Sequence, residues 1–265
     1  MTTPAQAALI EAIHRTLEAD ERVEAAWLAG SFGNATADDF SDIDVLVLVT
    51  EPWEDAARDY ARDLRAIAET VLANPLFGGR VLNVVTAEWD RLDLSFVTAQ
   101  DLSRYDRGAL KPLFNKTGAE PPARDREPYQ PPPEKIAGMI WEFFRVLGLM
   151  PVVFGREEYV ISASGVELQR RGLIDLMIEA NRIAPEDRGG ALHLRRLVTP
   201  EQHALLAALP PVWADPAALI AVNMAIARLY LPLARQLAGE TGAEWPAALE
   251  HATRRRLRHA MGIEF

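Results

Sequence analysis

Three aspartates and one Gly-Ser pair are the residues here whose types and spacing could do chemistry. Asp42 and Asp44 flank Ile43, just before the apolar run Val45–Val49. Residues two apart on a strand leave the same face, so both carboxylates share one side while Ile43 points into a core. Adjacent carboxylates repel each other unless a cation sits between them. Hard oxygen donors of this kind suit magnesium (Mg2+) bridging the phosphates of a nucleoside triphosphate. Upstream, the apolar run Ala25–Ala29 ends in Gly30-Ser31. A tight turn there exposes backbone amides that can cradle phosphate; Gly30 allows close approach and the Ser31 hydroxyl adds a donor. The plain alternative is that Ser41-Asp42 ends a loop and Asp44 is a solvated strand residue. The Gly-Ser turn before the pair and the apolar strand after it favour the chemical reading.

A third acid, Asp93, sits between Leu92 and Leu94 in the later run Leu92–Thr98. If that strand lies beside the one carrying Asp42 and Asp44, Asp93 completes a metal and base cluster; otherwise it is a solvated strand residue. Asp90 competes for the role, but it falls in a turn, where Asp is favoured for local reasons.

The elements that must position these residues can be read from periodicity. Ala8, Leu9, Ala12, Ile13 and Leu17 predict a helix over 5–18. Ala25–Ala29 and Val45–Val49 predict strands. Ala57, Tyr60, Leu64, Ile67, Ala68 and Val71 predict one long helix from Trp53 to Ala73, stopped by Asn74-Pro75. Val81–Thr86 and Leu92–Thr98 predict a hairpin. The order α-β-β-α-β-β implies an α/β or α+β domain around a mixed sheet over 1–115. Seven prolines then fall between Lys111 and Pro133, which reads as an extended connector, 116–133. Beyond it, 134–265 shows only helical patterns: 134–150 ended by Pro151, 166–183, 201–209, 217–238 kinked at Pro232, and a last helix after Trp245-Pro246. That predicts an all-α helical bundle.

Gly30-Ser31, Asp42-Ile43-Asp44 and the distant Asp93 together resemble the signature of polymerase-beta-like nucleotidyltransferases. More closely, the chain resembles the lincosamide and aminoglycoside adenylyltransferases. The likeness is carried by Glu21-Arg22-Val23, Gly30-Ser31-Phe32, Phe40-Ser41-Asp42-Ile43, and Arg91-Leu92-Asp93 with Gln100-Asp101-Leu102. In the helical half it is carried more weakly by Glu142-Phe143-Phe144 and Arg156-Glu157-Glu158-Tyr159. The resemblance implies that ATP or another NTP binds with magnesium, a hydroxyl of a small-molecule acceptor attacks the α-phosphorus, and pyrophosphate leaves. It implies that Asp42 and Asp44 hold metal, and that Asp93 joins the metal site, deprotonates the hydroxyl, or both. It implies an antibiotic acceptor; a protein or RNA acceptor, or an idle nucleotide-binding regulator, is the alternative. The family's triphosphate lysine is missing: its place falls at Gly155, so Arg156, with Arg170 and Arg171 as substitutes, is expected to meet the phosphates.

Composition removes several other chemistries. The chain has 265 residues and no cysteine, which excludes disulfides, thiol nucleophiles and thiolate metal sites. The five histidines form no His-Glu-x-x-His pair, and there is no Gly-x-Ser-x-Gly elbow, P-loop or dinucleotide fingerprint. A net charge of −10 argues against a nucleic-acid partner, and the Arg254–Arg258 run reads as a solvated helix face. The longest apolar stretch, Ala217–Ala227, is far shorter than the roughly 20 residues of a membrane span. No secretory leader pattern is visible, so a soluble cytoplasmic protein is expected.

Overall fold

The computed structural model describes residues 2–125, 127–189 and 191–265. The chain divides into two compact units, residues 1–126 and 127–265.

In the first unit, α1 (Pro4–Ala19) starts where it should. Thr3 and Gln6 form a reciprocal capping box, and Pro4 occupies the first turn, where its missing N–H costs nothing. Then come β1 (Val23–Leu28), the one-turn helix α2 (Gly30–Gly33), β2 (Ile43–Val49) and α3 (Trp53–Arg62). They are followed by β3 (Thr70–Leu76), β4 (Val81–Thr86), β5 (Arg91–Val97) and β6 (Lys111–Asn115). The six strands form one sheet in the order β3-β4-β5-β2-β1-β6. β2 and β5 are parallel; every other neighbouring pair is antiparallel. One face is covered by Leu9, Ile13 and Leu17 of α1 and Ala56, Ala57 and Tyr60 of α3, packed on Val45, Val47, Leu94 and Phe96. The other face carries a smaller cluster of Trp27, Leu46, Leu48, Val97 and Leu102. Burial of both faces explains why β2 reads as a continuous apolar run after Asp44.

Two expectations for this unit are corrected. The helix predicted from Trp53 to Ala73 ends at Arg62, and Thr70–Leu76 is a strand. Leu64 and Ile67 are buried from a loop; Val71 and Leu72 are exposed on the edge strand. The predicted order α-β-β-α-β-β also lacks a strand after Thr98, yet Lys111–Asn115, at the end of the expected domain, form strand β6, with Pro112 paired to Trp27. Proline gives no ladder N–H, so it belongs at sheet edges. Pro75 of β3 and Pro112 of β6 lie on the two edge strands of this sheet, where they also blunt edge-to-edge pairing.

The second unit is helical: α4 (Pro133–Leu147), α5 (Met150–Gly155), α6 (Tyr159–Ala180), α7 (Leu194–Leu197), α8 (Pro200–Ala207), α9 (Pro216–Thr241) and α10 (Ala247–Met261). Pro151 does not end a helix; it sits in the first turn of α5. α6 begins well before the predicted Val166. α9 runs on through Pro232 and ends at Gly242, whose φ of 75° closes the helix in the left-handed conformation. Two spans, Pro133–Gly155 and α9, are long and apolar enough to cross a membrane by length and composition, although the longest apolar stretch, Ala217–Ala227, is short. Here both supply the core of the unit. Ile140 and Phe144 of α4 and Leu219, Val222, Ile226 and Tyr230 of α9 are fully buried against Val166, Leu173 and Leu176 of α6.

Candidate active site

The parallel pairing of β2 with β5 brings Asp44 directly opposite Asp93. Antiparallel pairing of β4 with β5 puts Asn83 opposite Asp93 on the other side. Laterally paired strand residues share a face, so Asn83, Asp93 and Asp44 form a row across three strands. Asp42 immediately precedes β2 rather than lying within it.

The loop leading to Asp42 is held from behind. Gln6, buried on α1, donates from Nε2 to the carbonyl oxygens of Asp38 and Ser41, each at 3.0 Å. Ser41 Oγ accepts from the Asp38 amide at 2.9 Å and donates to the Asp38 carboxylate at 3.0 Å. The position of Asp42 is therefore set by a cap residue thirty-six positions upstream.

Asp44 is the strained charge of the group. Burial, then the charges of Asp42 and Asp93, push its carboxyl up to about 6, with Arg91 opposing. Its two neighbours are each engaged. Asn83 donates from Nδ2 to Asp93 at 2.6 Å. Arg91 lies 3.5 Å from the Asp42 carboxylate and donates to the Phe40 carbonyl at 2.9 Å.

The Gly30 turn closes over Asp44. The Ala29 amide donates to the Asp44 carbonyl at 2.8 Å. Gly30 has a φ of +53°, and a Cβ placed there would lie 2.0 Å from Asp44 Oδ2. Only glycine fits, both for its backbone conformation and for the space Asp44 occupies. The first intrahelical bonds of α2 come from Gly33 and Asn34, to the carbonyls of Ala29 and Gly30. The amides of Gly30, Ser31 and Phe32 thus precede any intrahelical acceptor. Ser31 Oγ is buried and has no hydrogen-bond partner among the described residues.

The structure therefore gathers Gly30, Ser31, Asp42, Asp44 and Asp93 at one end of the β1-β2-β5 ladder. Asp90 stays in the β4–β5 turn, its amide bonded to Thr86 Oγ1 at 3.0 Å. Arg156 belongs to the other unit, where it follows α5 as an exposed residue. Arg170 pairs with Glu167 at 2.9 Å and Arg171 with Asp175 at 3.3 Å.

Among the described residues, no group of three or more His, Asp or Glu side chains is drawn together closely enough to hold a metal ion. The donor set still fits a hard divalent cation and phosphate. The acids are oxygen ligands crowded by like charge, and the turn beside them presents free amides and an orphaned hydroxyl.

Three residues in this arrangement were not singled out from the sequence: Asn83, Arg91 acting on Asp42, and Gln6. Asn83 had a signal, since an Asn flanked by Leu82 and Val84 is poorly suited to a strand interior. Arg91 stands two before Asp93, the same-face spacing. Gln6 had none beyond its cap position.

A family model described as polymerase beta, nucleotidyltransferase, matches residues 11–102, the stretch holding all three aspartates and the Gly-Ser turn. The N-terminal unit is a polymerase-beta nucleotidyltransferase domain. The chain is accordingly a transferase. Enzymes of this family work with an NTP, a divalent metal and an acceptor substrate. No curated protein sequence matches the chain. Among solved structures, it is similar to an aminoglycoside 6-adenyltransferase from Bacillus subtilis, with 13% identity, a TM-score of 0.44, and 94% of this chain and 95% of that one covered. It is also similar to a nucleotidyltransferase-like protein from Exiguobacterium sibiricum, with 15% identity, a TM-score of 0.37, and coverage of 96% and 87%.

Proposed function

We propose that this nucleotidyltransferase moves a nucleoside monophosphate, AMP from ATP, to a hydroxyl of a small molecule and releases pyrophosphate. The observation that carries the reading is the convergence of Asp44 with Asp93 in register, beside Asp42 and under the Gly30 turn. A nucleotide-binding module has no need of three crowded carboxylates; a site that handles cation-bound phosphate does.

In this reading Asp42 and Asp44, with Asp93, hold magnesium, which neutralises phosphate charge when bound. The amides of Gly30 and Ser31 and the Ser31 hydroxyl take the outer phosphates. That would supply the partner which Ser31 Oγ lacks. Asp93 also accepts the proton of the acceptor hydroxyl. The hydroxyl oxygen then bonds to the α-phosphorus, the bond from that phosphorus to the bridging oxygen breaks, and pyrophosphate carries away the negative charge. Asn83 keeps the Asp93 carboxylate turned along the row. The catalysis is positioning and charge neutralisation, as in other phosphoryl transfers.

The acceptor we propose is a lincosamide or aminoglycoside antibiotic, on the strength of the sequence motifs that resemble those enzymes. Incubation with labelled ATP, magnesium and an antibiotic panel tests it. Pyrophosphate release that depends on one acceptor supports the reading. Magnesium-independent ATP binding with no turnover on any acceptor overturns it.

A further inference from the structure

A second site with the dimensions of a ligand pocket lies wholly within the helical unit. It is a cleft of about 420 Å³ walled by α4, α6 and α9, inside the range of roughly 300–1,000 Å³ typical of small-molecule sites. Its apolar wall is built from Met139, Phe143, Val146 and Leu168. The ring of Phe143 stacks on that of Tyr230, with centroids 3.9 Å apart and planes 6° from parallel.

Two observations show that the cleft is built rather than left over. Gly138 of α4 and Gly172 of α6 both line it, and a Cβ added at either meets nothing within 4 Å. Glycine inside a helix is costly relative to alanine, so both helices carry that cost where any side chain would narrow the space. Independently, Tyr230 lines the cleft, is fully buried, and its hydroxyl has no hydrogen-bond partner among the described residues. A buried, unpartnered hydroxyl is an unpaid desolvation cost unless something supplies the bond. Burial, then the nearby Asp175, hold the Tyr230 hydroxyl protonated far above its ordinary range, so it is available as a donor.

The charges around the cleft indicate what it takes. Lys135 is paired with Glu179 at 2.6 Å, Glu142 with Arg145 at 2.6 Å, and Arg171 with Asp175 at 3.3 Å. Each charge already has its counter-ion, so a charged ligand would find no uncompensated partner and would lose its hydration.

We propose that this cleft binds a neutral small molecule with a flat apolar body and one hydrogen-bond acceptor, which takes the Tyr230 O–H. The site is separate from the aspartate row, and its test needs neither ATP nor turnover. It therefore stands or falls independently of the transfer reaction.

The experiment is a ligand-observed NMR titration of the full chain with coumarin, a neutral planar lactone with a carbonyl acceptor. Naphthalene, of the same shape without the carbonyl, is the control. Coumarin should bind the wild type, and Tyr230→Phe should weaken it about 3- to 10-fold, the usual range for one neutral hydrogen bond, leaving naphthalene unchanged. Tyr230→Phe should melt no lower than the wild type, since it removes only the orphaned hydroxyl. Gly172→Leu should abolish binding of both probes while holding or raising the melting temperature, because it fills open space and improves the helix. The proposal is overturned if coumarin does not bind, if it binds Gly172→Leu as it binds the wild type, or if Tyr230→Phe leaves its affinity unchanged.

Discussion

Gly30→Ala separates the chemistry of the site from the stability of the fold. The added Cβ would sit 2.0 Å from Oδ2, 2.9 Å from Cγ and 3.4 Å from Cβ of Asp44. All three lie inside the ~3.5 Å at which non-bonded heavy atoms rest. The blocking group is the end of a flexible side chain, so the cheapest response is rotation of the Asp44 carboxylate out of the row. The stability cost then reduces to the left-handed backbone at φ +53°, about 1–2 kcal/mol for a residue with a Cβ. That should lower the melting temperature by on the order of 5 °C. Activity pays far more: displacement of a catalytic group by about 1 Å costs on the order of 10²-fold. The assay is steady-state pyrophosphate release beside thermal melting, for the wild type, Gly30→Ala, Asp44→Ala and the double variant. Both single variants should fall to the same floor and the double variant should be no worse, because both changes remove the same carboxylate from the same place. Near-wild-type turnover in Gly30→Ala would refute the reasoning, since it would mean that Asp44 need not stand where the turn holds it.

Asp42→Asn and Asp44→Asn should both abolish transfer. Asp44→Asn should also raise the melting temperature in chelator, because burial and two neighbouring carboxylates make that charge unfavourable in the fold; scanning fluorimetry reads it. Asn83→Leu removes the 2.6 Å donor to Asp93 and should lower kcat while leaving ATP–magnesium affinity unchanged by calorimetry; an equal loss in both would make Asn83 part of nucleotide binding. Asp101 carries a pH prediction. Burial alone would raise its carboxyl, but the Thr98 amide and hydroxyl and the Arg80 guanidinium outweigh it and hold it below the ordinary value. A lowered folded-state value means that its stabilisation is present above the unfolded value near 3.8 and drains away as pH falls through the folded one. Melting curves from pH 6 down to pH 2 should thus show a wild-type decline that Asp101→Asn flattens, the variant starting lower at pH 6 by about 1.5–3 kcal/mol.

The chemistry-bearing residues were legible because their signals are local. Same-face placement of Asp42 and Asp44 is a property of extended backbone; β2 begins one residue after Asp42, and the Asp42 charge still acts on the Asp44 carboxyl. The turn at Gly30 needs a glycine whatever surrounds it, and α1 announces itself through the spacing of Leu9, Ala12, Ile13 and Leu17. The α+β plan, the mixed sheet and the helical second half follow equally from period and composition.

Other features depended on which strands become neighbours. Thr70–Leu76 carries helix-compatible spacing, yet it is a strand because β4 offers it a ladder along the sheet edge. Lys111–Asn115 carries no strand pattern of its own, yet β1 captures it as the opposite edge, where Pro112 is tolerated. Asp93 could be tied to Asp44 only through the parallel β2–β5 pairing, and Asn83 to Asp93 only through β4–β5. Gln6 reaches Asp38 and Ser41 only because α1 packs against that sheet. Backbone spacing determines which side chains share a face within a few residues. Strand pairing and helix docking join segments far apart in the chain, and they are settled by the burial and hydrogen bonding of the whole unit, so no single segment specifies them.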